Sequence, residues 1–214
     1  MQKTTSKFHQ AFPLIIYEKE LTGFLSLLYK SFDDAKFDNT TGKITGELNG
    51  KVLVHQDIRL EPFFKALKKC VKEYLEHFSI DKSTYEINFV KTWFTICDPG
   101  QHFPAHYHSC SHISFVYYIQ TPGDPLILHK KNPNEWFGDA FKLIKENGYC
   151  NGDGYAINPK SEHLVIFPGS LEHYTTPEER EHQRISLAGD IVLTLKHRTD
   201  TETGLLPPRY WKQF

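Results

Sequence analysis

Residues 85–97 read YEINFVKTWFTIC, and at this stretch the chain changes from helical to strand periodicity. Upstream of it, apolar residues recur every three or four positions; from here on they alternate or form short apolar runs, as β-strands do. Turn segments rich in Pro, Gly, Asn and Asp separate four further runs of this kind. These are HISFVYYIQ (112–120), PLILHK (125–130), HLVIFP (163–168) and RISLAGDIVLTLK (184–196). The second half of the chain is therefore predicted to be rich in β-sheet.

Two helices are predicted before this point. Residues 13–32 read PLIIYEKELTGFLSLLYKSF, which predicts a short strand followed by a helix. The segment EPFFKALKKCVKEYLEHF predicts a helix over residues 62–78, because Pro62 suits a first turn and one stripe of the helix is apolar. That stripe consists of Phe64, Leu67, Val71, Tyr74, Leu75 and Phe78. The order of elements indicates a mostly β (α+β) fold, a sandwich or barrel core braced by N-terminal helices.

The 214 residues show no linker, so we expect one domain over residues 1–214. Residues 1–84 would form a helical and hairpin support, and residues 85–197 the core. An insertion over residues 131–162, with a short helix in DAFKLIKENG, would interrupt that core and is a candidate lid. Residues 198–214 would be a C-terminal tail that folds back onto the domain.

Composition excludes several classes of protein. The net charge is −1 with mixed signs throughout, so we expect no binding to nucleic acid. No apolar run is long enough to suggest a membrane span or a signal peptide. Four dispersed cysteines without a CxxC motif indicate reduced thiols and a cytoplasmic location. The apolar helix 62–78 and the tail pair Tyr210–Trp211 offer a possible homodimer face.

Three histidines have the spacing of a metal site. His106 and His108 lie two positions apart in PAHYHS, so on a strand both imidazoles would point to one face. His173 follows 65 residues later, after the apolar run HLVIFP and a Pro-Gly turn. Three protein ligands on one side of a metal leave positions open for catalysis. The chain holds twelve histidines, so the close pair alone is weak evidence.

Arg184 strengthens the case for a site. On a strand, Arg184 and Ser186 share one face, and a guanidinium beside a hydroxyl suits a carboxylate. A hairpin through TTPEEREHQ would place this strand antiparallel to the strand of His173, so that a dicarboxylate would bridge metal and arginine. The alternative is a surface salt bridge with a nearby acidic residue, Glu178, Glu179 or Glu181.

With these motifs in view, the segment from Trp93 to Lys196 resembles the iron(II)- and 2-oxoglutarate-dependent dioxygenases. It is most similar to the prolyl-hydroxylase-like branch and its poorly characterised bacterial and phage relatives. The motifs that carry the resemblance are HYH, SFVYYIQ, LEHY and QRIS, in that order along the chain. The resemblance implies a double-stranded β-helix, or jelly-roll, core. At position 108 this chain has histidine, where most of that superfamily has a carboxylate.

Residue by residue, the resemblance makes His106, His108 and His173 the catalytic iron ligands. Arg184 would pair with the distal carboxylate of 2-oxoglutarate, Ser186 would help, and Ser114 and Tyr118 would contact this cosubstrate. The implied enzyme is an Fe(II)- and 2-oxoglutarate-dependent oxygenase that uses O2, and we expect it to hydroxylate a small-molecule or peptide substrate that the sequence does not identify.

Two other functions stay open from the sequence. One is a three-histidine, cupin-type metal dioxygenase or isomerase that uses no 2-oxoglutarate. The other is a non-catalytic β-sandwich module that binds metal through the same histidines or binds none. The two enzyme hypotheses differ in whether the ligand of Arg184 is a cosubstrate or the substrate itself.

Overall fold

The computed structural model describes residues 13–35, 37–38, 47–49, 53–130, 154–177, 181–196 and 204–213. These residues contain two α-helices and ten β-strands. The helices are α1 (Leu25–Asp33) and α2 (Glu61–Glu76). The strands are β1 (Tyr17–Glu20), β2 (Phe37–Asp38), β3 (Glu47–Asn49), β4 (Tyr85–Cys97), β5 (Ile113–Gln120), β6 (Leu126–His129), β7 (Gly154–Ile157), β8 (His163–Pro168), β9 (Glu172–Thr175) and β10 (Arg184–Leu195). The prediction of mostly β structure with few helices is confirmed.

Helix α2 forms where the apolar stripe predicted it. Pro62 lies in the first turn, where its missing N–H leaves no helical hydrogen bond unmade. The buried residues Phe63, Leu67, Val71 and Tyr74 recur at helical spacing and face the core. The helix ends at Glu76, earlier than predicted. Phe78 is 45% exposed, because the backbone turns out of the helix before it.

The larger sheet has seven strands in the order β1-β8-β5-β10-β4-β3-β2. Its centre is the antiparallel pair β4 and β10, which extends from Arg184 opposite Cys97 to Leu195 opposite Tyr85, with one register shift between Asp190 and Ile191. Strand β5 pairs with the other edge of β10, and β8 pairs with β5. This long central pairing fixes where each side chain of β10 points.

The two faces of the larger sheet are both apolar. On β5, Phe115, Tyr117 and Ile119 belong to the core shared with the two helices. The alternate residues Val116 and Tyr118 belong to a second cluster on the opposite face. Because successive residues of a strand point to opposite faces, one apolar run serves both layers.

The smaller sheet has three strands in the order β7-β6-β9. Leu126 and Leu128 of β6 and Ile157 of β7 pack in the second cluster with Tyr118 and Phe167 of the larger sheet. The helices, the larger sheet and the smaller sheet therefore follow one another as layers.

The predicted hairpin between the strands of His173 and Arg184 is wrong. Strand β9 pairs with β6 in the smaller sheet, whereas β10 pairs with β4 and β5 in the larger one. The connection after Thr175 therefore passes from one sheet to the other. The long apolar strand β10 gains far more pairing beside the 13-residue β4 than it would beside the four-residue β9.

The described part of the C-terminal segment contacts the end of the larger sheet. The N–H of Leu195 donates to the carbonyl of Leu205, and the guanidinium of Arg209 donates to the carbonyl of Lys196. The helix predicted in DAFKLIKENG lies outside the described residues. Among the helices of the described segments, none is both long and apolar enough to span a membrane.

Candidate metal centre

The histidines predicted as metal ligands lie together. His173 is on β9, and His106 and His108 are in the segment that links β4 to β5. One ring nitrogen of each lies within 4.8 Å of the other two. The predicted strand through His106 and His108 is wrong: His106 forms only an isolated β-bridge, with His173, and His108 lies in no strand. The convergence comes from that bridge.

Backbone hydrogen bonds hold this arrangement. The N–H of His106 donates to the carbonyl of His173 (3.1 Å), and the N–H of His173 donates to the carbonyl of His106 (2.9 Å). The N–H of His108 donates to the carbonyl of Gly169 (2.8 Å). A Cβ at Gly169 would lie 2.5 Å from the carbonyl oxygen of Ser111. The glycine of FPGS is therefore needed for the close approach of the histidine segment to this turn.

The imidazoles are oriented by hydrogen bonds on the side away from the cluster. Nδ1 of His106 lies 2.8 Å from the carbonyl oxygen of Pro104, and Nδ1 of His173 lies 2.9 Å from that of Leu171. Nδ1 of His108 lies 2.8 Å from Oδ1 of Asp190. A carbonyl or carboxylate oxygen only accepts, so Nδ1 carries the proton in each ring. In the neutral form of each ring, Nε2 then has a lone pair, the state that binds a metal.

Burial favours the neutral form of two of these rings. Desolvation, with a smaller contribution from the neighbouring His106, lowers the pKa of His173 from 6.5 to about 3. Desolvation also lowers the pKa of His106, with a smaller contribution from His108. At neutral pH both rings therefore offer lone pairs rather than protons.

A cavity of about 380 Å³ opens beside the histidines. Most of its wall is apolar or aromatic, including Trp93, Phe103, Phe167 and Tyr174. All the residues that the sequence analysis predicts to bind the metal or the cosubstrate line this cavity: His106, His108, Ser114, Tyr118, His173, Arg184 and Ser186. A largely apolar pocket with a few convergent polar groups is typical of a small-molecule site.

Arg184 is the one Lys, Arg, Asp or Glu residue among those that line this cavity in the described part of the chain. It is buried, at 3% exposure, so the alternative of a surface salt bridge is wrong. Its Nη2 donates to Oγ1 of Thr175 (3.2 Å) and approaches Sγ of Cys97 (3.6 Å). Its Nη1 is buried and has no hydrogen-bond partner. Among the described residues no carboxylate pairs with this guanidinium, and a buried charge without a counter-charge is unfavourable unless a ligand supplies one.

The hydroxyl residues predicted to contact the cosubstrate line the same cavity as Arg184 and the histidines. Ser186 and Tyr118 are direct neighbours across β10 and β5. The hydroxyls of Ser186 and Thr95 lie 2.6 Å apart; one of them donates in this bond, and the other keeps its proton for a ligand. Burial raises the pKa of Tyr118 to about 12, so this phenol stays protonated and can donate. Ser114 lies further along and donates to Asp190 (3.1 Å) rather than towards Arg184.

Asp190 is a residue of the site that the sequence analysis did not identify. Its side chain is buried at 6% exposure, behind His108. The signal was present in its even spacing from Arg184 and Ser186, which puts a carboxylate on the same face of an otherwise apolar strand.

The four other histidines at described positions between residues 102 and 163 lie outside the cluster. His112 accepts a hydrogen bond from the N–H of Leu193, His129 pairs with Glu172, and His163 lies 3.5 Å from Glu18. The fourth is His102.

The donor set of the cluster fits a divalent transition metal. Imidazole is a ligand that iron, zinc, nickel and copper all accept. Three nitrogens converge from one side, and the apolar cavity lies on the other, where further ligands have room. No carboxylate is among the three residues of the cluster.

Residues 91–190 match the model of a protein family described as putative 2OG-Fe(II) oxygenase. The matched segment includes the three histidines and Arg184. No curated protein matches the chain in sequence. The family match agrees with the resemblance seen in the motifs.

Several solved structures share the fold. A prolyl-4-hydroxylase from Pseudomonas putida is 15% identical, with a TM-score of 0.53 over 82% of this chain and 91% of that one. A prolyl hydroxylase from Trichoplax adhaerens, solved with a peptide fragment of hypoxia inducible factor, is 14% identical, with a TM-score of 0.55 over 83% and 82%. HygX from Streptomyces hygroscopicus, solved with nickel, 2-oxoglutarate and hygromycin B, is 9% identical, with a TM-score of 0.52 over 83% and 82%. At these identities the likeness concerns the fold.

Proposed function

We propose that this chain, which the family match indicates to be a 2OG-Fe(II) oxygenase, binds iron(II) through His106, His108 and His173 and binds 2-oxoglutarate through Arg184. The observation that carries the proposal is the buried guanidinium whose Nη1 has no partner, in the same cavity as three imidazoles with free Nε2 atoms. A ligand with one end for a metal and a carboxylate at the other end satisfies both groups at once. 2-Oxoglutarate is such a ligand.

The residues of the chain would bind and orient the reactants. Arg184 would hold the distal carboxylate through Nη1, and its Nη2 is already fixed by Thr175. Tyr118 and the hydroxyl pair of Ser186 and Thr95 would donate to the same carboxylate. The iron, when bound with 2-oxoglutarate and O2, would couple oxidative decarboxylation of the cosubstrate to hydroxylation of a prime substrate. The aromatic walls would exclude water from that reaction.

The apolar wall also indicates what enters the cavity. Trp93, Phe103 and Tyr174 line it, and Arg184 is the cation that the cosubstrate would neutralise. We therefore propose that the part of the substrate that reaches the metal is uncharged, whether it belongs to a small molecule or to a peptide. An apolar pocket discriminates against charged groups because their desolvation is unfavourable.

The proposal extends to the fold, the oligomeric state and the location of the protein. The layered sheets would form the double-stranded β-helix of residues 85–197, with residues 1–84 as support, residues 131–162 as an insertion that contributes β7 to the smaller sheet, and residues 198–214 as a tail, all in one domain. Tyr210 and Trp211 are 50% and 57% exposed and would be the contact of a homodimer. The apolar stripe of α2 is buried in the core and does not serve that contact. We propose a cytoplasmic protein that binds neither nucleic acid nor membrane, on the charge balance and the dispersed cysteines.

The test is succinate formation by the purified protein with iron(II), 2-oxoglutarate and O2. We expect uncoupled turnover in the wild type and its loss in His173→Ala and Arg184→Ala. A cupin-type enzyme would consume O2 without needing 2-oxoglutarate. A non-catalytic module would bind metal or nothing and form no succinate, and either result would refute the proposal.

A further inference from the structure

Asp190 lies next to the candidate metal centre, at the edge of the His108 ring that faces away from the other two histidines. It lies on β10 directly across from Ser114 on β5, at a point where the register between β10 and β4 shifts. Its Oδ1 accepts from Nδ1 of His108 (2.8 Å) and from Oγ of Ser114 (3.1 Å). Such irregularities in a strand re-aim side chains, and here the carboxylate faces the histidine cluster rather than solvent.

We infer that Asp190 is a positioning residue that fixes His108 and supplies, from outside the ligand set, the negative charge that three neutral imidazoles lack. The inference rests on the proposed metal site. It goes further, because it assigns a role to a residue that neither contacts the cosubstrate nor ligates the metal.

The three imidazoles differ in the group behind them. His106 and His173 are backed by backbone carbonyls, which are neutral acceptors. His108 is backed by a buried carboxylate. A carboxylate behind an imidazole orients the ring and makes its free nitrogen a stronger donor to a metal. The strongest donor of the three is therefore at position 108.

A second contact holds His108 in place. Its ring is stacked on the indole of Trp93, with ring centroids 5.6 Å apart and an angle of 16° between the planes. The stack restricts the ring to one plane, and the bond to Asp190 fixes which edge of the ring faces the cluster. Ser114, which donates to the same Oδ1, keeps that oxygen in position. Ser114 is thereby linked to the histidines.

A purely structural role for Asp190 makes a different prediction. If the carboxylate only filled a buried polar position, an asparagine of the same shape that still accepts through Oδ1 would leave metal affinity unchanged. If its charge matters, Asp190→Asn weakens metal binding although the volume and the acceptor oxygen are kept. The isosteric change therefore separates charge from packing.

The experiment is a cobalt(II) titration of the metal-free protein, followed by the visible absorption of the bound ion. Wild type, Asp190→Asn and His173→Ala are compared. Asp57→Asn is the matched control, because Asp57 is also a hydrogen-bonded carboxylate but is paired with Arg59 and Ser31, outside the histidine cluster. We expect a roughly 10- to 100-fold higher Kd for Asp190→Asn and no change for Asp57→Asn.

A second readout needs no metal. The ¹⁵N shifts of the His108 ring in the metal-free protein report which nitrogen carries the proton. We expect the Nδ1–H form in the wild type and a mixture of tautomers in Asp190→Ala, where the acceptor is gone.

The outcomes separate this inference from the function it rests on. If His173→Ala binds cobalt as the wild type does, the histidines are not the metal site, and the proposed function and the role of Asp190 both fail. If His173→Ala loses binding while Asp190→Asn keeps the wild-type Kd, only the role of Asp190 is overturned. Loss in both variants, with Asp57→Asn unaffected, supports it.

Discussion

Replacing Arg184 should weaken the binding of 2-oxoglutarate and leave the binding of the metal unchanged. In Arg184→Ala the distal carboxylate of 2-oxoglutarate would enter a buried, largely apolar cavity and find no cation. The histidine cluster would be unchanged, since Arg184 contacts Thr175, Cys97 and Phe103 rather than the imidazoles. We therefore expect metal affinity to be kept and 2-oxoglutarate affinity to be lost.

The size of the loss follows from the burial of Arg184. Removing one partner of a buried, hydrogen-bonded charge pair costs about 2–5 kcal/mol. At about 1.4 kcal/mol for each factor of ten, this is a roughly 30- to 4,000-fold rise in Kd. In Arg184, Nη2 is held by Thr175 and Nη1 is free for the ligand. Arg184→Lys keeps the positive charge but loses this planar pair of nitrogens. Losing one charged hydrogen bond of about 1.5–3 kcal/mol predicts a rise of roughly 10- to 150-fold.

The assay is calorimetric titration of 2-oxoglutarate into the cobalt-loaded protein. Arg209→Ala is the control, because it removes an arginine that is half-exposed on the tail. A Kd for Arg184→Ala within threefold of the wild-type value would refute the reasoning. It would mean that the buried guanidinium has another counter-charge.

Three further predictions concern the histidines and their surroundings. Folding lowers the pKa of His173 from 6.5 to about 3, so below pH 6.5 the unfolded chain binds a proton that the folded chain excludes. The free energy of unfolding of the metal-free protein, measured in urea, should have its full value above pH 6.5 and fall by up to about 1.4 kcal/mol per pH unit towards pH 3. His173→Gln should flatten that slope, and an unchanged slope would contradict the assignment. Gly169→Ala should destabilise the fold by about 1–3 kcal/mol and weaken cobalt binding, because its Cβ would meet the carbonyl of Ser111; wild-type stability in thermal unfolding would count against the close approach. Tyr118→Phe should raise the KM for 2-oxoglutarate roughly 2- to 10-fold with kcat little changed, as expected for the loss of one hydrogen bond of about 0.5–1.5 kcal/mol; an unchanged KM would remove Tyr118 from the cosubstrate site.

The sequence predicted the local structure well, because strand and helix periodicities are local properties. The runs at residues 85–97 and 163–168 are strands with those bounds, and the apolar stripe of residues 62–78 marks α2. The convergence of three distant histidines and an arginine in one cavity was also predicted, from motif order rather than from geometry.

What the sequence did not predict is which strands pair. Strand β10 pairs with β4, about a hundred positions away, instead of with β9, nine positions away. That choice depends on the total length of apolar pairing, which no local window contains. The same choice buries Asp190 and places it against Nδ1 of His108; its even spacing from Arg184 shows only the face of the strand, not this partner. The strand through His106 and His108 was predicted from their spacing alone, and a loop clamped by Gly169 achieves the same convergence.

The most direct measurement is a crystal structure of the protein grown with nickel(II), as a stand-in for iron, and 2-oxoglutarate. We predict one ion about 2.0–2.2 Å from Nε2 of His106, His108 and His173, with the far carboxylate of the ligand on Nη1 of Arg184. An ion bound elsewhere, imidazoles turned apart, or a carboxylate that leaves Arg184 without a partner would contradict the account.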